Sequence, residues 1–225
     1  MLAAGAAVLD LKAALRQRLR ELATSAGVDP ARIYFAPKAA NPNHLARIAI
    51  ADLFLDTFPY GAHSTASDAL TMGLPVLTVP GKSFASRFCS SIVKSAGVPE
   101  LICASPDEYV RKAVALARDP AALAQIRNSI QAQRETCALR DIPRLVRRLE
   151  ELYWQMQGER ERGETPVPDL SNMEMYYEIG TDVVLAEVEF EDEAAYRKRY
   201  QDRIADWHAF HPVPHDTRLW PAKPA

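Results

Sequence analysis

The first segment of the chain carries apolar residues at the spacing of an α-helix. The leucines that form this face are Leu11, Leu15, Leu19 and Leu22. Their spacing of three to four residues, with arginine and glutamine between them, predicts a helix over residues 10–25. Gly27 is expected to end this helix, because glycine readily adopts the left-handed conformation that follows many helices.

Further along the chain, short apolar runs alternate with helical patterns. The runs of strand length cover residues 32–36, 53–56 and 75–79. The helices predicted between and after them cover residues 43–50, 64–72, 83–96 and 105–118. Ser105, Pro106 and Glu108 form a capping box that marks the start of the last helix. This alternation predicts the α/β class, with a partial Rossmann-like parallel sheet.

From residue 119 onward the pattern is helical only. Helices are predicted over residues 120–135 and 142–157, and the second of them has an apolar face. Because such a helix commonly packs back on the sheet, Tyr153, Trp154 and Met156 are expected to lie in the core.

The segment GERERGETPVPDL at 158–170 is charged and rich in proline, which predicts a linker. It divides the chain into a lobe at 1–157 and a small appendage at 171–225. The appendage is expected to be α+β or partly disordered, with a strand at 183–190, a helix at 193–208 and an extended end at 212–225.

Composition narrows the class of protein. Apolar residues make up 48% of the 225 residues, which is enough for a sizeable core. With 27 Lys and Arg against 29 Asp and Glu, the chain has no basic footprint for nucleic acid. No apolar run reaches the roughly 18 residues that a transmembrane helix needs. The opening MLAAGAAVL also lacks the basic start of a signal peptide, so a cytoplasmic protein without membrane contact is expected.

The cysteines and histidines predict no metal site. Cys89, Cys103 and Cys137 are widely spaced and odd in number, as expected of buried thiols in a reducing compartment. The histidines within 208–215 have no cysteine or carboxylate at ligand spacing, so no metal is predicted.

Residues 51–70, ADLFLDTFPYGAHSTASDAL, combine a strand, a turn-rich loop and a helix start. The N–H groups of a first helical turn have no intrahelical partner and attract anions. Ser64 and Thr65 add hydroxyl donors suited to a diphosphate, and Asp68 can accept from a ribose hydroxyl. These residues therefore favour a nucleotide site. The alternative is that Ser64 only caps the helix and Asp68 only favours its positive end.

Several longer sequence motifs occur in a fixed order and spacing. They are RIYFAP at 32–37, H-x-x-R at His44 and Arg47, ADLFLDTFPYGAHSTASDAL at 51–70, GLPVLTVPG at 73–81 and FASR at 84–87. Together they resemble the C-terminal catalytic lobe of the O-GlcNAc transferase family, including its bacterial members that follow tetratricopeptide repeats. The resemblance covers residues 27–157. It implies the C-terminal lobe of a two-lobe, GT-B type glycosyltransferase, followed by C-terminal helices and a small tail.

The resemblance implies that four residues contact the uridine. His44 matches the residue whose ring packs on the uracil, and Arg47 matches one that reaches a base carbonyl. Ala39 falls where the family uses backbone groups to read the uracil edge. Asn41 stands where animal members carry a ribose-binding lysine, and this departure weakens one contact.

The resemblance also assigns the phosphate and ribose contacts. His63, Ser64 and Thr65 match the diphosphate-binding turn, and Asp68 matches the ribose acceptor. The implied function is a portion of a UDP-sugar-dependent protein glycosyltransferase that transfers N-acetylglucosamine to Ser or Thr hydroxyls. Its implied partners are the UDP-sugar donor and a protein acceptor, with no further cofactor and with the catalytic residues unassigned.

The same resemblance places the N-terminal lobe, a phosphate-binding lysine and the substrate-selecting repeats outside this sequence. Because transfer needs positioning and electrostatics from both lobes, weak UDP binding and no transfer by the chain alone are expected. Two alternatives stay open. One is a non-catalytic nucleotide-sugar-binding or assembly module; the other is a transferase with a different donor, such as a fucosyl or glucosyl transferase, favoured by Asn41.

Overall fold

The computed structural model describes residues 2–164, 172–182 and 188–212. The helices are α1 (Leu2–Ser25), α2 (Asn41–Ala49), α3 (Ser64–Thr71), α4 (Phe84–Ser95), α5 (Pro106–Arg118), α6 (Pro120–Gln133), α7 (Ile142–Glu161), α8 (Met173–Asp182) and α9 (Glu193–Phe210). The strands are β1 (Phe54–Leu55) and β2 (Val76–Leu77), and 3-10 helices cover Pro30–Arg32 and Pro99–Leu101. The contacts divide the chain into two units, one up to His44 and the other from Leu45 onward.

The first unit consists of α1 and the segment that follows it. Gly27 ends the helix as predicted, with a φ of 72°. Arg16 and Arg20 lie over the ring of Phe35, at 5.5 and 5.4 Å from its centroid. The strand predicted at 32–36 is wrong, because this segment is irregular after the 3-10 helix. The ring of Phe35 packs against the two guanidinium groups of α1 and not against a neighbouring strand.

The second unit contains a short parallel sheet. Strands β1 and β2 pair in parallel, with Phe54 opposite Val76, and a parallel bridge joins Thr78 to Ile102. The parallel pairing is therefore confirmed. The described part of the sheet has only two strands of two residues each, so the chain is more helical than its apolar runs predicted.

The main core surrounds this sheet. Fully buried side chains come from β2, from α4 and from the 3-10 helix after it; the largest are Leu77, Leu101, Val76, Val93 and Val98. A separate apolar cluster joins α8 to α9 through Met175, Ile179 and Ile204. The two clusters share no residue, so the appendage has an apolar cluster of its own.

Local capping chemistry sets several helix boundaries. The Ser105 hydroxyl accepts from the Glu108 amide at 3.2 Å, as a capping box requires. The Glu108 carboxylate reaches the Ala104 amide at 2.7 Å, one residue earlier than in the usual box. Gly97, with a φ of 86°, follows the end of α4, next to the predicted helix end at residue 96.

Helix α7 differs from its prediction in two ways. It has no buried residue, and Tyr153, Trp154 and Met156 are exposed to 63%, 77% and 62%. The prediction that these three side chains lie in the core is wrong, because among the described residues no element covers that face. The helix also continues to Glu161, past the start of the predicted linker at 158–170.

In the appendage, the helix predicted at 193–208 is present as α9. Glu189 and Phe190 form a turn, so the described part of the strand predicted at 183–190 is not a strand. Residues 183–187 lie outside the described residues, as do 165–171 and 213–225.

Candidate functional site

The start of α3 presents two amides and two hydroxyls together. His63 is the N-cap residue, and its carbonyl accepts from the amides of Ala66 and Ser67 at 3.1 and 3.3 Å. Within helical geometry, the amides of Ser64 and Thr65 are then the first-turn donors without an intrahelical acceptor. Both side chains are exposed. This end of α3 can therefore bind an anion through backbone and hydroxyl groups.

The alternative, in which Ser64 caps the helix and Asp68 favours its positive end, differs from the structure in where these two residues stand on α3. Ser64 is the first helical residue, and His63 stands at the N-cap position without a side-chain capping bond. Asp68 lies one turn further on, whereas the dipole effect is confined to the first turn. Ser64 and Asp68 are four residues apart and so share one face of α3, with Asp68 half-exposed.

The His63 side chain is held in an aromatic stack. Its ring lies 4.3 Å from that of Phe88 and 5.2 Å from that of Tyr60, both in stacked orientations. Its Nε2 atom is buried and has no hydrogen-bond partner among the described residues. The stack fixes the residue that precedes the first turn of α3.

Asp56 organises the loop that leads from β1 to α3. Its Oδ1 accepts from the amides of Thr57 and Ala62 at 2.9 and 2.7 Å, and its Oδ2 accepts from the Thr78 hydroxyl at 2.7 Å. The Tyr109 hydroxyl donates to the Asp56 carbonyl at 2.9 Å. The buried Asp56 carboxylate thus joins the two ends of the loop before α3 and links the loop to Thr78 at the end of β2.

The surroundings of Asp56 keep nearby groups neutral. Burial, reinforced by the Asp56 charge, raises the pKa of Tyr109 to about 12. Burial and the same charge raise the pKa of Cys89 well above its usual range. Cys89 is therefore a packing thiol and a poor nucleophile.

The residues that the resemblance assigns to the uridine lie around the start of α2. Ala39 precedes the helix and is half-buried, Asn41 is its first residue and is exposed, and His44 is half-buried. These three belong to the first unit. Arg47 lies on the same helix, is half-buried and belongs to the second unit together with the residues of α3.

Sequence reasoning missed the role of Asp56 and of Glu189. Asp56 was visible as the polar end of an apolar run, but its partners Thr78 and Tyr109 are distant in sequence. Glu189, which is buried against Lys82 and Ser83, carries no signal in the sequence. A cleft of about 270 Å³ at the other end of α3, lined by Thr71 and Arg134 among others, was also not predicted.

Other classes of site are not seen in the described ranges. Those residues contain no group of three or more His, Cys, Asp or Glu side chains that could hold a metal ion. No helix among them is long and apolar enough to cross a membrane. All three cysteines are free thiols.

Comparison with known protein families shows the family of this chain. The model of the family described as Glycosyl transferase family 41 matches residues 7–149. The chain belongs to this family. The resemblance of its sequence motifs to the O-GlcNAc transferase family is also confirmed, since similar proteins are named as transferases of this kind.

Individual family 41 proteins are similar over much of this chain. A Caenorhabditis elegans UDP-N-acetylglucosamine–peptide N-acetylglucosaminyltransferase is 35% identical over 156 residues, covering 69% of this chain and 14% of its own length. The Arabidopsis thaliana protein SEC, a probable enzyme of the same name, is 34% identical over 160 residues, or 71% of this chain and 16% of its length.

A solved family structure is also similar. A mutant of the Thermobaculum terrenum O-GlcNAc transferase superposes with a TM-score of 0.58 and 31% identity, covering 63% of this chain and 27% of that structure. This chain therefore spans less than a third of the length of each of these three proteins.

Proposed function

We propose that this chain carries the UDP-binding elements of a protein glycosyltransferase that moves N-acetylglucosamine to Ser or Thr hydroxyls. The observation that carries the proposal is the start of α3, where two first-turn amides, two exposed hydroxyls and Asp68 lie on one short helix. In this proposal the chain is the C-terminal lobe of a two-lobe, GT-B type enzyme, and β1 and β2 belong to a Rossmann-like sheet.

The printed names of the relatives support the donor and the acceptor class. The Caenorhabditis elegans protein is named for a UDP-N-acetylglucosamine donor and a peptide acceptor. A cytoplasmic location is part of the proposal and is supported by three free cysteines, of which Cys89 and Cys103 are buried. No cofactor besides the donor is proposed.

Each group has a chemical task in this proposal. The first turn of α3, with Ser64 and Thr65, holds the diphosphate and stabilises the negative charge that grows on departing UDP. Asp68 accepts a hydrogen bond from the ribose. At the base side, Ala39 and Asn41 present polar groups, His44 stacks on the uracil and Arg47 donates to a base carbonyl. Asp56 acts through the loop that it closes, as a positioning residue.

The proposal is tested by titrating the full chain with nucleotides in a calorimeter. UDP should bind with a Kd between tens of micromolar and millimolar, or roughly 4 to 6 kcal/mol, because the α3 hydroxyls that would hold the diphosphate are exposed to water. GDP and GDP-fucose should bind more weakly than UDP, because the proposed contacts of His44 and Arg47 are made to uracil. Absence of UDP binding, or equal binding of GDP and UDP, would contradict the proposal.

A module that binds a nucleotide sugar without transferring it is the second candidate. The exposed apolar side chains of α7, including Leu145, Leu152 and Trp154, favour a protein that works in contact with further polypeptide. A transfer assay with labelled UDP-N-acetylglucosamine and Ser- and Thr-containing peptides tests this candidate in one direction only, because a chain that carries part of the enzyme is also expected to give no transfer. Turnover by this chain alone would eliminate the second candidate.

A further inference from the structure

The side chain of Glu189 is buried against the turn formed by residues 80–83. It is exposed to only 2%, and its Oε1 accepts from the amides of Lys82 and Ser83 at 2.7 and 3.2 Å. Ser83 is the N-cap of α4, and its hydroxyl accepts from the Ser86 amide at 3.2 Å. A carboxylate from the appendage therefore lies at the amino end of a 12-residue helix, where an anion is stabilised.

The turn is shaped around this carboxylate. A Cβ atom added at Gly81 would lie 1.9 Å from Oε1 and 2.3 Å from Cγ of Glu189, so only glycine lets the side chain lie flat on the backbone. The second oxygen, Oε2, is buried and has no hydrogen-bond partner among the described residues. Burial removes Oε2 from water without giving it a new hydrogen-bond donor, and this cost lowers the net stability of the contact.

Contacts on either side extend the match between the two segments. The ring of Phe190 meets that of Phe58 edge-on at 5.4 Å, and Phe58 meets Tyr109 in the same way at 5.9 Å. The ammonium of Lys82 lies 3.9 Å from a carboxylate oxygen of Glu193 and 5.4 Å from the centre of the Tyr196 ring. Three pairs of groups therefore match along the contact. The amides of Lys82 and Ser83 face the Glu189 carboxylate, the Phe58 ring faces the Phe190 ring, and the Lys82 ammonium faces the Glu193 carboxylate.

We propose that residues 80–83, the first turn of α4 and the Phe58 ring form a binding site for an acidic peptide segment with an aromatic residue after its glutamate. Residues 188–196 of this chain, VEFEDEAAY, occupy the site in cis. The segment is exchangeable because its neighbouring helices α8 and α9 build a separate apolar cluster and do not enter the core around the sheet. The site uses none of the nucleotide residues on α3, although the ring of Phe84 in the first turn of α4 meets the His63 ring edge-on at 6.3 Å.

The first experiment asks whether the site can take the segment in trans. A synthetic peptide of residues 188–196 is titrated against the full chain and against its Glu189→Ala/Phe190→Ala variant. We expect the variant to bind the peptide about tenfold more tightly or better, since a tethered segment competes at a millimolar effective concentration. A peptide carrying Glu189→Gln should bind more weakly, and Gly81→Ala added to the variant chain should abolish binding. Equal binding to both chains, or none to the variant, would overturn the proposal.

The second experiment measures occupancy in the full chain without a peptide. Hydrogen exchange of the Lys82 and Ser83 amides should be slow in the natural chain and about tenfold faster or more in Glu189→Ala, because their acceptor has gone. The milder variant Glu189→Gln keeps the side-chain shape and should give intermediate protection. Asp206→Asn, an exposed charge change on α9, is the matched control and should change nothing. Unchanged exchange in Glu189→Ala would show that the carboxylate does not occupy the turn.

Discussion

The carboxylate of Asp68 is the single group on which the nucleotide proposal makes its sharpest prediction. If it accepts from the ribose, Asp68→Ala should weaken UDP binding by roughly 1.5 to 3 kcal/mol, the scale of a hydrogen bond to a charged group. Pyrophosphate binding should stay the same or improve slightly, because a negative charge leaves the site. Calorimetry with UDP, uridine and pyrophosphate measures all three.

Two variants serve as companions to Asp68→Ala. His44→Ala should weaken UDP and uridine but leave pyrophosphate unchanged, since only a base contact is lost. Asp107→Ala removes an acidic residue from the first turn of α5 and is the matched control, which should lower stability slightly and leave UDP unaffected. Unchanged UDP affinity in both Asp68→Ala and His44→Ala would contradict the proposal that these residues bind a nucleotide.

Asp56 allows a separate test of the loop before α3. Asp56→Asn keeps the size of the side chain, and its oxygen can still accept from the amides of Thr57 and Ala62. Its NH₂ group then faces the Thr78 hydroxyl, which must turn from donating to accepting, so the buried hydroxyl proton loses its acceptor. The free energy of unfolding should fall by roughly 1 to 3 kcal/mol, the cost of a buried group left unpaired. Urea unfolding followed by fluorescence measures the change.

The control for Asp56→Asn is Asp52→Asn, whose side chain is 92% exposed and 3.9 Å from Arg127. A surface pair of this kind is worth roughly 1 kcal/mol or less, so stability should barely change. Equal losses in the two variants would mean that the buried carboxylate has no special place in the loop.

The α3 residues could be proposed from sequence because they lie close together along the chain. Ser64, Thr65 and Asp68 lie within five consecutive positions, so helix geometry alone brings them to one end and one face. Asp56 could be seen only as a strand end, because the Thr78 and Tyr109 hydroxyls reach it from other elements. Long-range polar contacts of this kind leave no periodic pattern.

At the scale of elements, the start of α5 is fixed by a single hydroxyl. Ser105→Ala removes the acceptor of the Glu108 amide and should lower the free energy of unfolding by about 1 kcal/mol. Ser91→Ala is the matched control, since Ser91 lies inside α4, where alanine is the better helix former. Thermal unfolding should therefore show a lower Tm for the first variant and an equal or higher Tm for the second. The same Tm in both would contradict the capping role.

The elements that sequence predicted well are those with signals at their ends. Ser105 and Gly97 mark boundaries through hydrogen bonds and backbone angles that involve only neighbouring residues. The prediction of a strand at 32–36 was wrong because apolar composition does not show which group will pack against an aromatic ring. The Phe35 ring packs against two arginines of α1. The apolar face of α7 was read correctly, but a pattern does not reveal whether anything packs on that face.

At the scale of the whole chain, the end of α7 is the expected site of proteolytic cleavage. Helix α7 stops at Glu161 and Gly163 has a φ of 70°, so trypsin should cut after Arg162 before it cuts within the helix. The two fragments should stay together on gel filtration, because Glu189 and Phe190 hold the appendage to the lobe. In Glu189→Ala the same nick should release the smaller fragment. Early cleavage at Arg147 or Arg148 instead would contradict this boundary.

The close approach of Glu189 to Gly81 has a consequence for how this sequence can vary. Gly81 does not have the positive φ that would by itself demand glycine, so the constraint on it comes from a side chain more than one hundred positions away. Alanine at position 81 should be rejected while glutamate stands at 189 and accepted once 189 is alanine or glycine, an epistatic pair in the strict sense. A library of positions 81 and 189 selected for soluble expression should recover them as covarying positions. Gly27, which is constrained by its own φ of 72° and has no atom within 4 Å of a would-be Cβ, should show no dependence on residue 189.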